Sequence, residues 1–251
     1  MGERLPLITI MGPTGVGKTD LAISLSKLFS SEIISVDSVQ VYKGMDIGSG
    51  KPSKDILDRY PHKLVSFIDP WKSYSTALFI FDATREIKLC DQSGKVPLLV
   101  GGTMLYFRSL FSGISSMPEA NQDVRNEISN QAKKYGWGFL HKDLTKVDPE
   151  SAMRIHPNDS QRIQRALEVY RVSSKTMTEW RKRDKGSDLV KRKRVIQFAV
   201  EPKSRESLRE DVKTRFLLML ERGLVKEVEK LLDIKQMDLT KSSMKSVGYR
   251  Q

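Results

Sequence analysis

Leu5-Pro-Leu-Ile-Thr-Ile-Met11, Gly12-Pro-Thr-Gly-Val-Gly-Lys-Thr19 and Asp20-Leu-Ala-Ile-Ser-Leu-Ser-Lys-Leu-Phe29 follow one another without a break. The first segment is an apolar run of buried-strand length, interrupted only by Pro6 and Thr9. From Thr19 to Phe29 the period changes, with Leu21, Ala22, Leu25, Leu28 and Phe29 at helical spacing. The octet between them fits G-x-x-x-x-G-K-[ST] in the strand–loop–helix setting that a phosphate loop requires. Gly12, Gly15 and Gly17 let the backbone turn its N–H groups toward phosphate oxygens, with Thr14 and Val16 between them. The helix start adds its positive dipole end. Lys18 supplies a cation, and the Thr19 hydroxyl suits a magnesium ion. A di- or triphosphate site is therefore expected here.

Outward from this stretch, Glu32-Ile-Ile-Ser-Val-Asp-Ser38 and Val96-Pro-Leu-Leu-Val-Gly-Gly102 are further buried-strand runs. Separated by helical segments, they predict a parallel α/β sheet of the P-loop kind, flanked by helices. Beyond Met117 strand-like runs become sparse and helical ones dominate, broken at Val147–Ser151 and Ile155–Asp159. Strand character returns in Arg194–Val200, and Arg205–Leu232 reads as a helical stretch broken near Gly223. The expectation is a core of residues 1–117 plus 195–251, with 118–194 as a basic, mainly helical insertion domain.

The chain has 251 residues, a formal charge of +12 and a pI near 9.7. That balance favours an acidic partner, nucleic acid or a phosphorylated metabolite. The imbalance concentrates in Arg171–Arg194, with ten basic and three acidic residues. One cysteine, Cys90, excludes an intrachain disulfide and fits a reducing compartment. No apolar run approaches bilayer length, and Met1–Ile10 lacks the pattern of a secretory signal, so a cytoplasmic protein is expected. His62, His141 and His156 are scattered, which argues against zinc.

Ligands of open α/β sheets bind at the carboxyl ends of the strands. Asp37, ending the second strand run, is placed to hold magnesium or to accept a proton, or else to cap a turn. Thr103, after Gly101-Gly102, offers a hydroxyl to a departing oxyanion. The magnesium-binding Asp that often ends such a strand in ATPases and kinases is absent from that place. Gly48-Ser-Gly-Lys-Pro52 resembles a second phosphate loop but lacks the preceding strand. In the insert, Asn158 or Asp159 caps a helix beginning near Ser160. Ile163, Ala166, Leu167 and Tyr170 share its apolar face, while Gln161, Gln164, Arg165 and Glu168 share the polar one, with Arg162 at the boundary. The polar face is either solvated or grips a nucleic acid. Trp180–Arg183 and Lys191–Arg194 are basic clusters suited to phosphate backbones.

The strings GPTGVGKT, VDSVQVYKGMDIGSGKP, VGGTMLYFRSL, DPESAMRIHPNDSQRIQRALEVY and SVGYRQ together resemble the tRNA dimethylallyltransferase family, in order over nearly the whole chain. The resemblance implies transfer of a dimethylallyl group from its diphosphate to the exocyclic amine of the adenosine immediately 3′ of the anticodon. It implies a prenyl diphosphate in the phosphate loop, Mg2+ as cofactor, a tRNA anticodon stem-loop as partner, and a monomer. Asp37 then matches the base acting on the adenine amine, and Thr103 the residue steadying the leaving diphosphate. Asp37, Ser38, Val39 and Gln40, together with Gln161, Arg162, Ile163, Gln164 and Arg165, match tRNA-contacting stretches. Arg125 matches a further tRNA contact and Arg215 a diphosphate contact. Two departures stand out: the family continues past GYRQ with more helices and a basic tail, and Lys63 stands where it commonly has a second His. The alternatives are an ATP-dependent small-molecule kinase, an adenine-nucleotide prenyltransferase and a non-catalytic RNA-binding protein.

Overall fold

The computed structural model describes residues 5–113, 117–182, 187, 189 and 192–251. It divides into two compact units, Met1–Phe111 with Asp188–Gln251, and Ser112–Ser187.

In the first unit β1 (Leu7–Met11), β2 (Ser31–Val36), β3 (His62–Lys63), β4 (Val96–Gly101) and β5 (Val195–Ala199) form one sheet in the order β3-β2-β4-β1-β5. Every pairing is parallel, as the sequence predicts. Successive residues point to opposite faces, so Ile34 and Leu99 join one core cluster while their neighbours Ile33 and Leu98 join another. Burial on both faces is why β1, β2 and β4 read as unbroken apolar runs. The flanking helices are α1 (Lys18–Ser26), α2 (Lys54–Arg59), α3 (Thr76–Gln92) and α4 (Met104–Ser112). After the second unit come α10 (Arg205–Glu221) and α11 (Leu224–Leu232), parted at Gly223 as expected. α1 is shorter than its periodicity suggested. It ends at Ser26, and Leu28, beyond the last turn, is 77% exposed. Lys63 pairs with Glu32 at 3.5 Å.

The register brings four strands to a stop on one rung: Met11 and Val36 both pair with Gly101, and Ala199 pairs with Met11. Gly12, Asp37 and Gly102 are therefore each the next residue after that rung. Space there is tight. A Cβ on Gly12 would lie 2.3 Å from the carbonyl oxygen of Val200.

The second unit consists of α5 (Gln122–Tyr135), α6 (Trp137–Val147), α7 (Pro149–Arg154), α8 (Ser160–Ser173) and α9 (Met177–Lys182). The start of α8 follows its sequence signal, with Asp159 as the cap, and Asn121 and Asp148 likewise accept hydrogen bonds from the first-turn amides of α5 and α7. Ile128, Leu140, Leu144, Ile163 and Leu167 fill the core. One expectation is corrected. Glu168, assigned to a polar face of α8, is wholly buried. Arg125 grips it through Nε and Nη2 at 2.9 and 3.2 Å, Arg165 Nη1 donates at 2.9 Å, and the Asn121 amide donates at 2.7 Å. Burial pushes the Glu168 carboxyl up, but the hydrogen bonds from Arg165, Arg125 and Asn121 outweigh it and hold the group below its usual range. The side chain is tolerated inside because its charge is paired on both oxygens.

The close approach at Gly12 yields a direct test. Because the opposing atom is backbone, Gly12→Ala is expected to cost about 1–3 kcal/mol, read as a lowered midpoint in thermal or urea unfolding.

Candidate active site

The carboxyl ends of β1, β2 and β4 open onto a cavity of about 500 Å³. Thr14, Gly15, Gly17, Lys18 and Thr19 of the phosphate loop line it, together with Asp37, Gln40, Gly102 and Arg215. Gly15 and Gly17 have φ of 93° and 82°, the left-handed region that favours glycine. Gly17 is also the N-cap of α1, and no side chain caps that helix. The first-turn amides are thus left for an anion, with the helix dipole behind them. Gly12 and Val16 do not line the cavity; Gly12 fits against Val200, and Val16 packs over it.

Lys18 Nζ donates to the Pro13 carbonyl at 2.6 Å. Burial lowers its pKa, Asp37 opposing this and Arg215 adding to it. Lys18, Asp37 and Arg215 therefore share one electrostatic site. Asp37 Oδ1 accepts from the amides of Val39 at 2.8 Å and Gln40 at 3.1 Å. The turn-capping and the site-facing readings of Asp37 both hold: the two bonds fix the carboxylate, and Oδ2 takes no hydrogen bond from the described residues. Thr103 Oγ1 accepts from the Ser38 amide at 3.2 Å, tying the ends of β2 and β4 together. Its hydroxyl proton is consequently directed elsewhere. Thr103, Ser38 and Val39 lie beside the cavity wall and do not line it; Val39 packs against the core.

The Gly48–Pro52 segment faces the same cavity through Ser49, Gly50, Lys51 and Pro52. Gly50 offers its carbonyl to Gln40 Nε2 at 3.4 Å and to Arg215 Nη2 at 3.1 Å. Lys51 bolts the loop internally, donating to the Tyr42 carbonyl and, at 2.7 Å, to Asp46. Its side chain is nearly inaccessible, and burial lowers its pKa. Lys51, Glu227 and Tyr249 were not singled out from the sequence as site residues. GYRQ carried the signal for Tyr249, whereas Glu227 stands in an ordinary helical heptad.

The residues expected to meet nucleic acid in the second unit fall into two kinds. Gln161 and Arg162 are exposed, Arg162 pairing with Asp159 at 3.3 Å. Ile163 is fully buried, so its side chain belongs to the core. Arg125 and Arg165 are engaged by Glu168, and Gln164 donates to Ser129 and to the Arg125 carbonyl. Trp180 packs against the core and donates Nε1 to Ser173, with the Lys175 ammonium 5.5 Å from its ring. Arg183 and Lys191 lie outside the described residues. Lys193, in the first unit, is tied to Asp91 and the Leu5 carbonyl.

Fold and loop define a P-loop-type α/β protein with an uncapped helix start aimed into its cavity. The model of the IPP transferase family matches residues 40–251, and that of the isopentenyl transferases matches residues 5–61. Among solved structures, the tRNA isopentenylpyrophosphate transferase of Bacillus halodurans shares 34% identity at a TM-score of 0.65, over 99% of this chain and 76% of its own. The corresponding Staphylococcus epidermidis enzyme shares 34% at 0.63, over 97% and 78%. A eukaryotic dimethylallyltransferase acting on tRNA shares 29% at 0.75, over 91% and 56%. The chain belongs to the IPP transferase family and is a prenyl-group transferase. The match does not favour the kinase or the non-catalytic alternative. Among the described residues, no helix is long and apolar enough to cross a membrane.

His62 also lines this cavity. Its Nδ1 donates to the Tyr60 carbonyl at 2.6 Å, and Nε2 is buried without a partner among the described residues. Burial pushes its pKa below the ordinary 6.5, the Tyr60 carbonyl opposing this in part. As pH falls through 6.5 the unfolded imidazole takes its proton first, so stability held above that pH is lost towards the lower folded value. Unfolding measured between pH 5 and 8 is expected to show this loss, and His62→Gln to flatten it.

Proposed function

We propose that this enzyme transfers a dimethylallyl group from dimethylallyl diphosphate to the exocyclic amine of the adenosine immediately 3′ of the anticodon in tRNA. The observation that carries this reading is the meeting, in one cavity, of an uncapped phosphate loop, the cations Lys18 and Arg215, and the Asp37 carboxylate held through one oxygen. The loop amides, Lys18 and Arg215 bind the diphosphate and take up the negative charge that grows as the allylic C–O bond breaks. The adenine nitrogen forms the new C–N bond, and Asp37 Oδ2 accepts its proton. The Thr103 hydroxyl, accepting from Ser38, donates to the departing diphosphate.

Mg2+ fits as a companion of the diphosphate. No group of three or more His, Cys, Asp or Glu side chains able to hold a metal occurs among the described residues. The Thr19 hydroxyl and the substrate's own phosphate oxygens suit a hard cation that keeps several waters. When bound, it adds positive charge beside the leaving group.

A stacked base cannot reach such a cavity, so the adenosine is flipped out of the anticodon loop. The helical unit, with the +12 charge of the chain behind it, holds the RNA backbone. Gln161 and Arg162 make its direct contacts, along with the exposed edges of Arg125 and Arg165; Ile163 shapes the helix from inside. Asp37 and Gln40, which line the cavity, meet the flipped nucleotide, while Ser38 and Val39 hold the turn between them through their amides. The enzyme acts as a monomer in the cytoplasm, consistent with its single, buried, unpaired cysteine.

Single-turnover transfer of labelled dimethylallyl to an anticodon stem-loop tests this. Native protein is expected to transfer, and Asp37→Ala to be slower by about a hundredfold or more; no transfer by native protein that binds the stem-loop overturns the reading. In melting experiments dimethylallyl diphosphate with magnesium is expected to stabilise the fold, and ATP not to.

A further inference from the structure

The loop from Asp46 to Ser53 lines the cavity through Ser49–Ser53 but is anchored, at Asp46–Ser49, by groups that touch no reacting atom. The amides of Asp46 and Ile47 donate to Glu227 Oε2 at 2.9 and 2.8 Å, and that of Gly48 to Oε1 at 3.1 Å. Three successive N–H groups converging on one point form a nest, a backbone concavity that holds anions. Here the anion is a side chain. Tyr249 extends the arrangement: its hydroxyl donates to Glu227 Oε1 at 2.6 Å and accepts from the Ser49 amide at 3.1 Å. Four consecutive amides are thus satisfied by two side chains from far down the chain.

Helix α11 is well placed to present the carboxylate. Leu224 and Leu231, on the same face as Glu227, are buried in the core. A Cβ on Gly48 would come within 2.7 Å of both Leu224 and the Tyr249 ring, so the loop has no room to shift toward them. Two residues beyond the nest is Gly50, whose carbonyl receives both Gln40 and Arg215.

We propose that Glu227, with Tyr249, is a positioning residue of the transferase: its carboxylate fills the Asp46–Gly48 nest and so sets the Gly50 carbonyl that aims Arg215 and Gln40 at the diphosphate. This rests on the diphosphate reading of the cavity. The same carboxylate closes the nest to phosphate, which leaves the substrate to the phosphate loop. Glutamine at this position keeps the shape but turns an N–H donor toward amides that are themselves donors.

The test is calorimetric titration of the full chain with inorganic diphosphate and magnesium, for native protein, Glu227→Gln, Arg215→Ala and the double variant. Glu227→Gln is expected to weaken binding about tenfold, and the double variant to lose clearly less than the two single losses combined, because Glu227 acts in large part through Arg215. Acetate is expected to restore binding in Glu227→Ala, which a merely structural defect would not allow. Native-like binding by Glu227→Gln, or full additivity with Arg215→Ala, overturns the proposal while leaving the diphosphate reading intact. Failure of the native chain to bind diphosphate overturns both. Should Glu227→Gln not fold, Tyr249→Phe carries the same test, with a smaller loss in the same direction expected and native-like affinity counting against the proposal.

Discussion

The hydrogen-bond register of β4 against β1 and β2 decides where each reactive group of the first unit falls. Met11, Gly101 and Val36 share a rung, so the chain leaves the sheet at one level in three adjacent strands. Each exit carries a different group: a phosphate loop after β1, a carboxylate after β2, a glycine pair and a hydroxyl after β4. A slip of one residue would turn every one of these side chains to the opposite face. The pairing even continues past the sheet, since the Thr103 amide donates to the Val36 carbonyl and the Ser38 amide to the Thr103 hydroxyl. Asp37 and Thr103 are thus held in step by the same ladder that holds the core.

Much of this was legible because β1, β2 and β4 are buried on both faces and the loop is built from residues that carry their own geometry. Continuous apolar runs marked the four main strands, and GPTGVGKT marked the anion site without help from any distant residue. The two-residue β3 left no such mark: His62 and Lys63 are polar, and their strand exists only because Ile33 and Ile34 pair with them. Leu28 fitted a helical period yet lies past the end of α1, since periodicity does not register where a helix stops. Glu227 was illegible for another reason. Its partners are backbone amides about 180 residues earlier, and no side-chain pattern announces them.

The second unit shows the opposite limit. A charged residue on a helical wheel is read as solvated, because burying an unpaired charge is costly. Glu168 escapes that rule by collecting two guanidinium groups and an amide, all from residues that look like surface in the sequence. Arg125 and Arg165 therefore serve the fold first. Each remains about one-third exposed, at 37% and 32%, so the packing fixes their direction while leaving an edge in solvent. A guanidinium already held in place gives up less conformational freedom on meeting a phosphate than a free one does.

The clamp at Asp46–Ser49 links an early part of the chain to residues about 180 to 200 positions further on. On a ribosome the phosphate loop, β2 and Asp37 emerge first, and local contacts suffice to shape much of them. Glu227 and Tyr249 emerge about 180 and 200 residues after the loop they hold, and β5, which flanks β1, only shortly before them. Until then four amides of the cavity loop are unclaimed by their partners and the sheet edge at β1 is open. Closing contacts over such sequence distances is slow compared with forming helices. The nascent chain thus carries a recognisable phosphate loop well before it carries a finished cavity, and biosynthesis itself delays the pocket until the helical unit has already been made.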